Sequence, residues 1–274
     1  MGIKLNLTVR FCLPFFSALL IPFICQAADI EGPRALGLGG AYTAIADGPD
    51  SVRTNPAGIA AKRIYSATLS RHRTDSDTNA VNATIIDYKT TNAPVGISYT
   101  KEELPKNQRK YGIFSVAASA PASLIGISAK YFWDELSDKE DYSYDAGILL
   151  FPYKGLTIGA AGKNLEKTDL PHIHKSYSAG IAYSFNHSIT AALDYTKDED
   201  AMEDDGITAF GLEYFLKKDV IIRGGFTKNE IRDIDYYSAG ITLFSPKLSL
   251  EYGYRWDKED SDSNVQAFSA IFYF

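Results

Sequence analysis

Leu248-Ser249-Leu250-Glu251-Tyr252-Gly253-Tyr254-Arg255-Trp256 alternates without a break. One phase reads Leu, Leu, Tyr, Tyr, Trp; the other reads Ser, Glu, Gly, Arg. Period-two alternation marks a strand with two unlike faces. Large apolar side chains point one way, small or charged ones the other. Working outward, Tyr177–Phe185 and Ile189–Tyr195 repeat the pattern. Fourteen such segments centre on Thr68, Thr84, Ile97, Ser115, Ser128, Ile148, Ile158, Gly180, Ala192, Gly211, Arg223, Gly240, Glu251 and Ala270. Each is long enough for a tilted transmembrane strand of roughly 9–11 residues.

The connections alternate in kind. Long, charged ones (71–79, 101–109, 134–141, 165–173, 196–205, 228–235 and 256–265) interleave with short ones (90–94, 120–123, 152–155, 186–188, 217–219 and 245–247). An antiparallel meander with one end outside the cell and the other in the periplasm produces this rhythm. It begins and ends on the short side, so both ends are expected in the periplasm, with an even strand number. Lipid cannot satisfy a free sheet edge, so the first and last strands must pair. The expected fold is all-β: a 14-stranded antiparallel transmembrane β-barrel.

A soluble β-sandwich also alternates, but it buries its large apolar face against a second sheet. Here aromatics gather at the strand ends. Tyr99, Trp133, Tyr144, Tyr195, Phe226, Tyr254 and Trp256 lie toward the long connections. Tyr88, Phe151, Tyr183, Phe185, Tyr214, Phe244 and Phe272 lie toward the short ones. Two belts of amphipathic rings fit two membrane interfaces.

Residues 1–27 read as a secretory signal peptide: basic Lys4 and Arg10, an apolar run from Phe11 to Ile24, then Cys25-Gln26-Ala27. Both cysteines, Cys12 and Cys25, fall inside it, so the mature chain offers no disulfide and no thiolate. Removing Lys4 and Arg10 takes the formal charge from −6 to −8. An acidic chain is a poor binder of nucleic acid. The chain ends Phe268-Ser269-Ala270-Ile271-Phe272-Tyr273-Phe274, with Phe268, Phe272 and Phe274 in one phase. This resembles the terminal strand by which the β-barrel assembly machinery recognises its substrates. Cell outer membrane is therefore the expected location, with the lipid bilayer and lipopolysaccharide as surroundings.

Before the first strand the pattern changes. Arg34-Ala35-Leu36-Gly37-Leu38-Gly39-Gly40-Ala41-Tyr42-Thr43-Ala44-Ile45-Ala46-Asp47 leads to Asn55-Pro56-Ala57-Gly58. Glycines permit close backbone packing, and Asn-Pro favours a turn. Gly37-x-Gly39-Gly40 lacks the Lys-Ser/Thr of a phosphate loop. Over roughly thirty residues this stretch resembles the N-terminal segment of the FadL-like barrels, a group including long-chain fatty-acid transporters and the PorV and PorQ proteins of type IX secretion. The resemblance implies fourteen strands. It also implies a hatch, or plug, formed here by residues 28–62 ahead of a barrel at 63–274. The hatch motif would be Gly37, Gly39, Gly40, Asp47, Asn55, Pro56, Ala57 and Gly58.

Phase assigns Lys130, Asp145, Lys163, Asp194, Glu213, Arg223, Glu251 and Arg255 to the lumen. Such mixed charges must pair with one another or with the hatch. Most of the chain's 34 acidic residues lie in the long connections, densest at Asp198–Asp205, which suits solvation and cation bridging at a lipopolysaccharide surface. Without a third ligand in sight, His172-x-His174 reads as a solvated loop rather than a metal site. No cofactor motif and no Ser/His/Asp constellation is recognisable, so no enzyme is expected. The resemblance implies passive uptake of a small hydrophobic ligand, a fatty acid or an aromatic. The alternatives are a PorV-like docking barrel for secreted proteins and a plugged structural barrel.

Overall fold

The computed structural model describes residues 30–75, 78–104, 107–135, 138–166, 168–170, 173–186, 188–199, 201–202, 205–257 and 263–274. The expected signal peptide with Cys12 and Cys25, the histidines His172 and His187, and part of the 198–205 acidic run lie outside the described residues.

Fourteen strands follow in order: β1 (Tyr65–Thr74), β2 (Asn79–Asp87), β3 (Val95–Leu104), β4 (Asn107–Ala120), β5 (Ser123–Asp134), β6 (Lys139–Tyr153), β7 (Leu156–Lys163), β8 (Ser176–Phe185), β9 (Ile189–Asp198), β10 (Ile207–Lys217), β11 (Val220–Asn229), β12 (Ile234–Phe244), β13 (Leu248–Asp257) and β14 (Val265–Tyr273). Every expected centre falls inside its strand. Each strand pairs antiparallel with its sequence neighbours, and β1 pairs with β14 from Ser66↔Tyr273 to Thr74↔Val265, closing the barrel. Closure leaves no edge to be solvated.

The two phases separate as expected. Leu69, Ile85, Ile97, Phe114, Ile127 and Leu193 are exposed on the outer wall, while Ser66, Thr100, Ser115, Ser143 and Ser269 are fully buried inside. Tyr254 and Trp256 stack on the outer face at 5.8 Å, and Tyr131 meets Trp133 edge-on at 4.5 Å.

Three expectations need correction. Strand lengths run from 8 residues in β7 to 15 in β6 rather than uniformly near ten. Residues 101–104 and 107–109 are ladder rather than loop. Lys101 pairs with Lys110 across β3 and β4, and Glu102 with Arg109. The latter two form a buried ion pair inside the barrel, which sustains the ladder where sequence charge suggested solvent. Phe244 is not part of the lipid-facing belt. It shares the inward phase of Ser238 and Thr242 and meets the inward Tyr273 at 5.9 Å.

Residues 30–64 make three short turns: α1 (Pro33–Gly37), α2 (Ser51–Thr54) and a 3₁₀ turn at Pro56–Ala60. Pro at the first position of α1 and of the 3₁₀ turn supplies a helical φ where no N–H partner is needed. The segment runs against the inner wall in descending strand order: Pro33 at β13, Gly37 at β12, Leu38 at β11 and β10, Ala44 at β8 and β7, Asn55 at β6 and Pro56 at β5. The barrel beginning at β1 and ending at β14 has both ends at the short-turn end. Glu31, near the start of the described chain, lies at the opposite end, bonded to Arg255.

Candidate functional site: the barrel interior

Close approach of the segment to the wall depends on directly opposed glycine pairs in the strands. Gly253 faces Gly240, Gly225 faces Gly211, Gly180 faces Gly159, and Gly147 faces Gly126. A Cβ at Gly126 would overlap the backbone of Pro56 and stand 2.5 Å from the nitrogen of Ala57; one at Gly211 would stand 2.7 Å from the carbonyl oxygen of Leu38. No side chain fits where one backbone lies on another.

The motif residues of the segment occupy these contacts. Gly37 crosses Gly240, while Gly39 (φ +67°) and Gly40 (φ +85°) carry the turn after α1 in a region L side chains rarely adopt. Thr227 donates its hydroxyl to the Gly39 carbonyl at 2.5 Å. Asn55 is fully buried. Its Nδ2 donates to the carbonyls of Thr43 at 3.0 Å and of Ile148 at 3.3 Å, and its Oδ1 accepts from Ala57 N–H at 3.2 Å. The Asn55 side chain thus ties two turns of the segment to β6. Pro56 and Ala57 lie on β5 at Gly126, and Gly58 sits against the carbonyl of Ala46.

All eight expected lumen charges point inward, in two groups. On the β5–β7 side, Lys130 pairs with Asp145 at 2.9 Å and donates to Asn164 at 3.1 Å, while Lys163 is half-buried at a cavity wall. On the β9–β13 side the charges hold the segment. Asp194 accepts the N–H groups of Tyr42 (2.8 Å) and Thr43 (2.5 Å). Glu213 takes Arg34 (3.0 Å) and Arg223 (2.6 Å). Arg223 donates to Thr242 at 2.6 Å, whose hydroxyl donates to Glu251 at 3.3 Å. Arg255 pairs with Glu31 at 3.0 Å and lies over the Tyr236 ring. Asp47 completes the array, with Arg34 at 2.6 Å and Lys62 at 3.0 Å. Burial alone would raise the Asp47 carboxyl, but Arg34 and Lys62 hold it well below the usual carboxylate range. Burial pushes the Tyr42 hydroxyl far above an ordinary phenol, so it stays a neutral donor to the Asp47 carbonyl at 2.6 Å.

The sequence reading missed other interior groups. Ile86, Tyr111, Ile113 and Phe132 form an apolar cluster with Val52 and Ile59 of the segment and Leu170 of the β7–β8 connection. Their phase gave the signal: Tyr111 and Ile113 share the face of Ser115, and Phe132 that of Lys130. The small, charged inner face expected from sequence is therefore interrupted by an apolar cluster on the β2–β5 side.

Two cavities flank the segment. One of about 200 Å³ reaches the long-connection end, between Glu31, Lys163, Asp198, Arg232 and Arg255. Another of about 270 Å³ reaches the short-turn end and is walled by Phe215, Ile221, Phe244, Ile271 and Tyr273, with Arg34, Lys62 and Lys218 among its polar groups. A register shift between Phe215 and Lys217 sits at its edge, where bulges commonly re-aim side chains.

No family model and no curated protein sequence matches the chain. Solved structures do resemble it in fold. The CymD monoaromatic hydrocarbon channel superposes with a TM-score of 0.67 at 12% identity, over 89% of this chain and 97% of the other. The toluene transporter TbuX of Ralstonia pickettii gives 0.64 at 12% identity, over 89% and 97%. A FadL homologue of Pseudomonas aeruginosa gives 0.61 at 10% identity, over 89% and 99%. At such low identity the likeness speaks for architecture. In its fold, a closed antiparallel β-barrel of fourteen strands, the chain is similar to these channels.

Proposed function

We propose that this chain mediates passive uptake of small hydrophobic molecules, fatty acids or aromatics, across an outer membrane. Residues 1–27 serve export, residues 28–62 act as a hatch, and residues 63–274 form the barrel with its long connections outside. Phe268, Phe272 and Phe274 serve recognition by the assembly machinery. The observation that carries this reading is the cavity at the short-turn end. Phe215, Ile221, Phe244, Ile271 and Tyr273 turn apolar surface inward, where a barrel needing only to fold would carry small or polar groups. An apolar wall with a few fixed polar groups is the usual make-up of a ligand site. The monoaromatic hydrocarbon channel and the toluene transporter, at their TM-scores, support the same direction. Proteoliposomes carrying the full mature chain should take up a labelled fatty acid or toluene faster than empty liposomes. Equal rates for every hydrophobic probe would overturn the reading.

A second reading rests on the buried ion pairs. Arg34, Glu213, Arg223 and Asp47 tie the segment to the wall, as in a barrel sealed for good. It predicts no uptake of any probe in that same experiment.

A further inference from the structure

The two cavities share one lining residue, Tyr42. Above it lies the polar chamber at the long-connection end; below it lies the chamber walled by Phe215 and Phe244. The Tyr42 side chain is only 2% exposed, so it fills the space between them. We infer that Tyr42 is the gate of an axial path through the barrel, and that its ring separates two halves of a passage for small solutes with polar groups. The inference rests on reading the chain as a channel, and it adds the route and the barrier.

The attachments of Tyr42 suit a moving side chain on a fixed backbone. Its N–H and that of Thr43 are both held by the Asp194 carboxylate on β9, so the main chain stays against the wall. The ring is held separately from that anchor. Its hydroxyl donates to the Asp47 carbonyl at 2.6 Å and accepts from the Asp47 N–H at 3.3 Å, the Arg34 guanidinium lies 5.3 Å from its centroid, and Tyr42 packs with Ala35, Leu38 and Ala46. Rotation about the side-chain bonds breaks these contacts and leaves the Asp194 anchor intact. The charged lining of the upper chamber, Glu31, Lys163, Asp198, Arg232 and Arg255, favours solutes that carry a hydrogen-bonding group. The route is axial, with one chamber toward the long connections and the other toward the short turns.

Full-length mature protein in planar bilayers, bathed in potassium chloride, tests the gate. Wild type should be mostly closed. Tyr42→Ala should raise the mean conductance severalfold and admit arabinose in liposome swelling. Tyr42→Phe keeps the ring and loses its tether, so brief openings should appear between the two extremes. Tyr42→Cys should open like the alanine variant and close again on reaction with a bulky thiol reagent, since residues 30–274 contain no other cysteine. Heat-modified mobility on gels reports barrel folding for each variant. A folded Tyr42→Ala as silent as wild type overturns the gate, as does a Tyr42→Cys channel indifferent to the reagent. Opening of Tyr42→Ala, with no uptake of hydrophobic probes by wild type, leaves the gate standing and removes the substrate reading instead.

Discussion

Arg34 and Glu213 meet as a fork: Nε lies 3.0 Å from Oε2 and Nη2 lies 3.2 Å from Oε1, joining residues 179 positions apart. This pair fastens the first turn of the N-terminal segment to β10. Two parallel bonds between planar groups fix orientation as well as distance. Glu213 also holds Arg223, so one carboxylate neutralises two buried guanidinium groups.

Glu213→Gln keeps the shape and removes the charge. Breaking a buried pair typically costs about 3–5 kcal/mol, and here Asp47 and Thr242 keep partial hold of the two arginines. The expected loss is therefore toward the lower end of that range. Limited proteolysis should cut residues 30–61 in this variant faster than in wild type, while the β-strands remain resistant.

Asn55→Ala should loosen the same segment from the other side. The substitution strands the Thr43 carbonyl and the Ala57 N–H inside the barrel and removes the link to the Ile148 carbonyl of β6. Unsatisfied buried groups cost about 1–3 kcal/mol each in the less compensated cases. A lower unfolding midpoint in urea with unchanged strand content by circular dichroism checks this.

Wall glycines offer a paired comparison. Gly126→Ala places a methyl on the backbone of Pro56, whereas Gly112→Ala meets only ordinary contacts, the nearest at 3.8 Å on Trp133. Overpacking of this kind costs about 1–3 kcal/mol. Gly126→Ala should lower the thermal midpoint and expose the segment to protease; Gly112→Ala should do neither.

The Asp47 carboxyl titrates below its unfolded value because Arg34 and Lys62 outweigh its burial. A depressed carboxylate adds stability that is fully present above its unfolded pKa and is lost as pH falls through the lower folded one. Over acidification from neutrality down to the ordinary carboxylate range, the share of the segment's protease protection that Asp47 supplies, read as the difference between wild type and Asp47→Asn, should therefore stay constant. That difference should shrink only in stronger acid. Asp47→Asn should remove this acid-dependent component and raise cleavage at neutral pH.

Strand number, phase and closure were legible because lipid imposes a single pattern on every strand, clearest at Leu248–Trp256. All eight inward charges were legible for the same reason. Their partners were not. Arg34 finds Glu213, and Asn55 finds Ile148, only after the chain has circled the wall. Sequence distance carries no trace of that route. The opposed glycines did leave a trace, since each occupies the inward phase of its strand, yet only the register shows that Gly147 faces Gly126 and Gly225 faces Gly211. Glu102 and Arg109 were misread as loop charges because a hairpin that extends beyond the membrane has the composition of a loop. Phe244 was misread because an aromatic near a strand end looks the same from sequence whether it faces lipid or lumen.

The most direct test of the N-terminal segment's seat inside the barrel is a cross-link at its entry. Glu31→Cys and Arg255→Cys, placed where the native side chains meet at 3.0 Å, can be joined by a short bis-maleimide in intact membranes. Both positions are partly exposed, so neither change disturbs the packed glycine contacts. The account predicts a cross-linked peptide pair containing residues 31 and 255, and none when Glu31→Cys is combined with Lys218→Cys at the short-turn end. Equal linking to both ends, or none to residue 255 in a folded barrel, would contradict it.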